Sequence, residues 1–304
     1  MKMGLIKRIS GEVVKGSLVL FVSMNIFNFL NYIFHFVSAR MLGPIDYGIL
    51  ATLMSIVYIF NIPSEAIQTI SSRYSTKFNI ENRNDKIKNL MIRLLKKFFM
   101  FGVLGFLIFI AISPILGKFL SIGFWLLALT GVVLISLSLV SVSRGILQGT
   151  KKFNSLGLSC ILESSIKIAL TIFLISIGFG VYGAIGAVVL GISSAFAFTF
   201  IPLRKILKSE REDEKISGIY SYSFPVLVSI TSITLLYSID IILARIFFPP
   251  EIVGNYAVIS ILSKIIFFGT FPISKAMFPI ASEKYDKKEG SSSVFKKSIF
   301  VVLF

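Results

Sequence analysis

Lys167 and Lys264 are set inside long apolar stretches. An isolated charge at the centre of a membrane helix costs at least about 2.5–3.5 kcal/mol, so each needs a partner or a use. Glu163 stands four residues before Lys167, the favourable helical order for an ion pair, and Ser159 and Thr171 continue the same spacing. Asp240 lies about one helical turn from the end of its stretch, placed to pair with Arg245 or to cap an opening there. Asn25, Asn28, Asn31 and His35 share one stretch, and at 100° per residue they fall within about 120° of one another. That polar stripe either ties helices together by hydrogen bonds or lines a water-filled cavity. Lys167, Lys264, Glu163, Asp240, Asn25, Asn28, Asn31 and His35 form the candidate binding set. Two ammonium groups against Glu163, with Asp240 peripheral, tilt the chemistry toward an anion, which lysine contacts as a point charge. Lys275 and Glu65 lie near the ends of their stretches, where they can reach headgroups instead.

No catalytic set accompanies them. His35 is the single histidine and has no metal-ligand partners at suitable spacing, so no metal site is expected. There is no G-x-S-x-G elbow, Walker A loop or paired acids facing a soluble cleft. Gly178, Gly180 and Gly183 fit G-x-G-x-x-G, but that motif needs a preceding strand and an acidic residue roughly 20 positions on. The spacing predicts a tight turn between two helices instead. Gly183, Ala187, Gly191 and Ala195 then recur every four residues as a ridge that lets another helix approach closely. The chain is expected not to be an enzyme and to bind no cofactor. Its one cysteine, Cys160, excludes an internal disulfide and is expected to pack.

The elements that must position these residues are eight apolar runs, at 17–39, 47–70, 98–117, 119–143, 156–178, 180–203, 218–244 and 252–280. Each has the roughly 20 residues that an α-helix needs to cross a bilayer core of about 30 Å. A composition of 55% hydrophobic residues in uninterrupted runs excludes a soluble core, because surface positions would break the runs. The first run is too long for a cleaved signal and is expected to stay as an anchor, with residues 1–10 lying along the inner interface as a short amphipathic helix.

The net charge of +16 would suggest nucleic acid in a soluble protein, but here it follows from topology. The N-terminus and the gaps after the second, fourth, sixth and eighth runs hold 25 Lys and Arg, whereas the alternate gaps hold Arg40, Lys118 and Arg245. Positive residues stay on the cytoplasmic side, so the N-terminus is expected inside a cell membrane that the chain crosses repeatedly. Anionic lipids are expected partners and nucleic acid is not.

An internal repeat is visible. Ala39-Arg40 with Pro44 and Gly48 follows the first run, and Ala244-Arg245 with Pro249 and Gly254 follows the seventh. Pro63 and Pro272 occupy the inner halves of the second and eighth runs, and Lys96-Lys97 and Lys296-Lys297 precede the third run and a terminal one at 298–304. Correspondences six helices apart imply two halves of the same orientation. The expected division is 1–217, six helices plus a charged cytoplasmic linker, and 218–304, the beginning of a second lobe with the start of a ninth helix. The terminal run is too short to span a bilayer, so the chain is expected to be a fragment with its second lobe incomplete, unless that run lies at the interface.

The stretches 39–48, 144–153, 178–187 and 240–283, with Gly254-Asn255-Tyr256 and Phe278-Pro279 in the last, resemble the polysaccharide-biosynthesis branch of the multidrug/oligosaccharidyl-lipid/polysaccharide (MOP) exporter superfamily. The resemblance implies an all-α integral membrane fold, a polytopic bundle of two MATE-like lobes around a central cavity. It also implies flipping of a lipid-linked oligosaccharide by alternating access. The implied partner is a polyprenyl-pyrophosphate-linked glycan, with glycan-assembly enzymes as further candidates. Two other readings stay open at this point: an ion-coupled drug or metabolite antiporter of the same superfamily, and a non-transporting membrane fragment.

Overall fold

A computed structural model describes residues 2–209 and 223–264, with the side chains of 18–209, 228 and 231–264. The linker acids at 210–217, Pro272, Lys275 and the terminal run at 298–304 lie outside the described residues.

Every described element is an α-helix. α1 covers Lys2–Ile80, α2 Asn84–Leu120, α3 Phe124–Gly149, α4 Phe153–Ser176, α5 Gly180–Leu207 and α6 Ser223–Phe247. α7 starts at residue 250 and is helical to 264. Among the described residues, five stretches are long and apolar enough to cross a membrane. α1 holds the first two apolar runs and breaks between them at Gly43, where φ 75 and ψ 175 are open to glycine. Its first limb is one continuous helix from residue 2, so residues 2–10 extend that limb rather than forming a separate interfacial helix.

The helices overrun the apolar runs on the side expected to be cytoplasmic. The second limb of α1 continues to Ile80, and α2 begins at Asn84, 14 residues before its apolar run at 98. The basic gap at 71–97 is therefore mostly helix, joined by a turn with Asn82 at φ 56. α2 has 37 residues, a length of about 55 Å, against a hydrocarbon core of about 30 Å. The expected tight turn between α4 and α5 is present, with Gly178 at φ 97 and Gly180 at φ 51.

The surface is apolar as well as the interior. Met100, Leu104, Leu107, Ile108 and Ile115 of α2 are all at least 52% exposed, as a lipid-facing surface requires. The interior holds two apolar clusters. One gathers Phe34, Tyr47, Leu50, Leu53, Leu127 and Ile185. The other gathers Phe78, Ile87, Leu90, Ile146, Leu147 and Leu203 toward the α1–α2 turn. α1 packs on α3, α4 and α6, while α5 packs on α3 and α4.

The two repeat segments meet. A Cβ on Gly48 would lie 3.1 Å from the Gly254 backbone nitrogen and 3.2 Å from the Pro250 carbonyl. A Cβ on Gly254 would overlap the Pro44 carbonyl, so only glycine fits there. The turn after the first limb of α1 and the turn after α6 thus close on each other backbone to backbone. Arg245 ties α6 to the end of α2, donating from Nε to the Leu120 carbonyl at 2.8 Å and from Nη2 to the Ser121 carbonyl at 3.3 Å. Those carbonyls end α2, where a cation complements the helix dipole.

Candidate functional site

The stripe on α4 faces inward as its spacing requires. Ser159, Glu163, Lys167 and Thr171 are all buried. α5 reaches this face through its small-residue ridge: a Cβ on Gly191 would lie 2.9 Å from the Glu163 carbonyl and 3.1 Å from the Lys167 Cβ. Along α4 the stripe runs between Leu156, in the cluster near the α1–α2 turn, and Ile175, packed against the other cluster.

The charge pairing differs from the expected one. Glu163 does not hold Lys167. Its Oε2 accepts from Nη2 of Arg144 at 2.7 Å, with each side chain 10% exposed. Arg144 also donates from Nε to Ser159 Oγ at 3.2 Å and from Nη2 to the Ser159 carbonyl at 3.1 Å. The planar fork of arginine holds several acceptors in a fixed geometry, which lets it outcompete a single ammonium for the carboxylate. Arg144, grouped by sequence with the cytoplasmic basic residues, is instead a buried member of α3.

Lys167 turns to the first limb of α1. Its ammonium donates to the Asn31 side-chain carbonyl and sits 4.6 Å from the centroid of the Phe34 ring. Among the described residues, no carboxylate reaches it within salt-bridge distance. Asn31 is held in turn by donating to the Phe27 carbonyl at 2.8 Å, with Ser164 Oγ 3.4 Å away. A neutral amide and a ring face stabilise an ammonium without cancelling its charge.

Of the rest of the α1 stripe, Asn25 donates to the Phe21 carbonyl of its own helix at 2.8 Å, and Asn28 is partly buried. His35 is buried between two tyrosines, with Nε2 3.0 Å from Tyr58 Oη and Nδ1 3.3 Å from Tyr47 Oη. The stripe therefore divides, with Asn31 and His35 built into contacts with other segments and Asn25 bonded locally.

Asp240 does not pair with Arg245. Five helical residues turn through about 500°, so the two side chains leave α6 some 140° apart. Asp240 instead accepts from Lys264 of α7 at 3.0 and 3.1 Å, from Ser260 Oγ at 2.7 Å and from Tyr256 Oη at 3.1 Å. Those three donors are spaced by four on one face of α7. Lys167 of α4 contacts the first limb of α1, and α6, which carries Asp240, packs on α1 as well. Tyr58 of α1 and Tyr237 of α6 meet edge-on beside them, with centroids 5.8 Å apart.

The charge balance is uneven. Asp240 with Lys264 is neutral, as is Glu163 with Arg144. Among the described residues, Lys167 is the buried cation of this group with no carboxylate within salt-bridge distance.

Comparison with known proteins fits this architecture. The family described as "Polysaccharide biosynthesis protein" matches residues 13–284. The uncharacterized membrane protein MJ1375 of Methanocaldococcus jannaschii is 27% identical over 290 residues, covering 90% of this chain and 68% of its own. An inward-facing multidrug resistance MATE family transporter of the MOP superfamily superposes with a TM-score of 0.70 at 18% identity, over 94% of this chain and 70% of that one. A MOP superfamily transporter from Pyrococcus furiosus, described by a binding pocket of reverse polarity that suggests a different function, gives 0.62 at 16% identity over 95% and 68%. A MATE protein in its straight conformation gives 0.68 at 17% identity over 96% and 69%. The chain belongs to the polysaccharide biosynthesis protein family and has the multi-pass membrane fold of the MOP superfamily.

Proposed function

We propose that the protein moves an anionic, lipid-linked saccharide across the cell membrane by alternating access, with Lys167 as the group that meets the phosphates. One observation carries this reading. A buried ammonium is held by an amide and an aromatic ring, while the carboxylate one turn away is taken by Arg144. A cation kept buried without a counter-ion is a site for an anion, because the desolvation it has already undergone strengthens its attraction for a phosphate. The family supports a glycan as the remainder of the substrate, and a polyprenyl pyrophosphate supplies both the negative charge and a tail that stays in the bilayer. Glycan-assembly enzymes are the natural suppliers of such a lipid. The N-terminus lies in the cytoplasm, as the distribution of basic residues supports.

Cation-coupled antiport through Asp240 is the weaker reading. That carboxylate already accepts from an ammonium and two hydroxyls, which leaves it little affinity for a further cation.

The test is transport by the reconstituted protein of a fluorescent polyprenyl-pyrophosphate-linked disaccharide against its neutral prenyl glycoside analogue. The pyrophosphate lipid is expected to change leaflets faster by at least about tenfold, the worth of one charge-assisted contact. Equal rates for the two lipids would remove the anion from the proposal.

A further inference from the structure

We propose that Arg144 is a positioning residue for this anion site: by holding Glu163 it keeps that carboxylate from neutralising Lys167. The inference rests on the role proposed above for Lys167 and names what sustains it.

Glu163 and Lys167 stand at i and i+4 on α4, in the order that pairs most readily on a helix. Left alone, they would meet. The layer contains two cations, Arg144 and Lys167, and one anion, Glu163, so it carries one excess positive charge wherever the acid goes. If Glu163 bonded Lys167, that excess would rest on Arg144, wedged between α3 and α4 with Ser159 as its partner. With Glu163 on Arg144, the excess rests on Lys167, which faces Asn31 and Phe34 of α1. The three bonds from Arg144 to a single turn of α4 fix the second arrangement. Close packing of α5 at Gly191 holds that turn in place. Arg144 thus selects which cation stays available, without itself contacting substrate.

The experiment compares Arg144→Gln, Glu163→Gln and the double variant in the full chain reconstituted in proteoliposomes. The probe is the fluorescent pyrophosphate-linked disaccharide, and thermal midpoints in detergent report folding. Arg144→Gln frees Glu163 to pair with Lys167. Its KM for the probe is expected to rise about tenfold or more, the loss of one charge-assisted contact. The double variant removes acid and base together, restores the excess charge to Lys167, and is expected to recover KM to within about threefold of the parent.

A role in packing alone predicts that KM follows the thermal midpoint across the three variants, because the double variant also relieves the unpaired charge; the proposal requires KM to rise in Arg144→Gln and recover in the double variant where the midpoints are equal. A folded double variant as impaired as Arg144→Gln would overturn the proposal, as would an unchanged KM in Arg144→Gln. Should Arg144→Gln fail to fold, the double variant alone decides, since removing a buried pair as a unit is tolerated far better than removing one partner. Lys167→Met separates the two levels. Parental transport in Lys167→Met sinks the anion site itself, whereas loss there without recovery in the double variant sinks only the role of Arg144.

Discussion

Gly254 lies against the Pro44 carbonyl so closely that any side chain at 254 would overlap it. The contact joins the turn after the first limb of α1 to the turn after α6, and Val253 beside it is fully buried. A junction held by backbone contact has no side chain to adjust, so a methyl group there must separate the turns. In a version with Cys160 replaced by serine, a cysteine at Val253 is expected to react slowly with an impermeant thiol reagent. Adding Gly254→Ala is expected to speed that reaction several-fold. An unchanged rate would show that the turns do not part at this point.

The pair Asp240–Lys264 is expected to behave as a unit. Removing one partner leaves a poorly solvated charge, so Asp240→Asn is expected to lower stability by about 1–3 kcal/mol. Asp240→Asn with Lys264→Met is expected to recover most of that loss, read as the thermal midpoint of purified protein. A double variant less stable than the single one would contradict the pairing.

Gly191 is where α5 touches the turn of α4 that carries both Glu163 and Lys167. Gly191→Leu is expected to destabilise the protein by about 1–3 kcal/mol through overpacking. The same change at Gly186, where a Cβ meets nothing within 4 Å, is expected to have a far smaller effect on the thermal midpoint.

Orientation has its own test. Glu251 and Asn84 are both exposed and lie at opposite ends of the bundle. In cells, Glu251→Cys is expected to label with an impermeant reagent and Asn84→Cys only after permeabilisation. The reverse pattern would place the N-terminus outside.

The helices were legible because apolar run length is a one-dimensional property, and so was the turn at Gly178–Gly180. Lys167, Glu163, Asp240 and Lys264 stood out because each breaks an apolar background. Their partners did not, because pairing depends on how helices pack. Asp240 meets Lys264 across 24 residues of chain, and Lys167 meets Asn31 across 136. Arg144 was hidden by its place at the edge of an apolar run near Lys151 and Lys152. One signal could have exposed it: its neighbours Ser141, Ser143 and Gly145 are small residues, suited to a helix segment packed on every side, and not other bases. The overruns of α1 and α2 were hidden because a polar helix beyond the bilayer looks like a charged gap.

The most direct measurement is transport of the pyrophosphate-linked disaccharide by Lys167→Met, set beside the charge-neutral Asp240→Asn/Lys264→Met variant, with both confirmed as folded. Loss of the uncompensated cation at Lys167 is expected to reduce transport at least about tenfold, while the neutral replacement retains the larger part of it. Parental transport by Lys167→Met, or an equal loss in both variants, would contradict the assignment of the anion to Lys167.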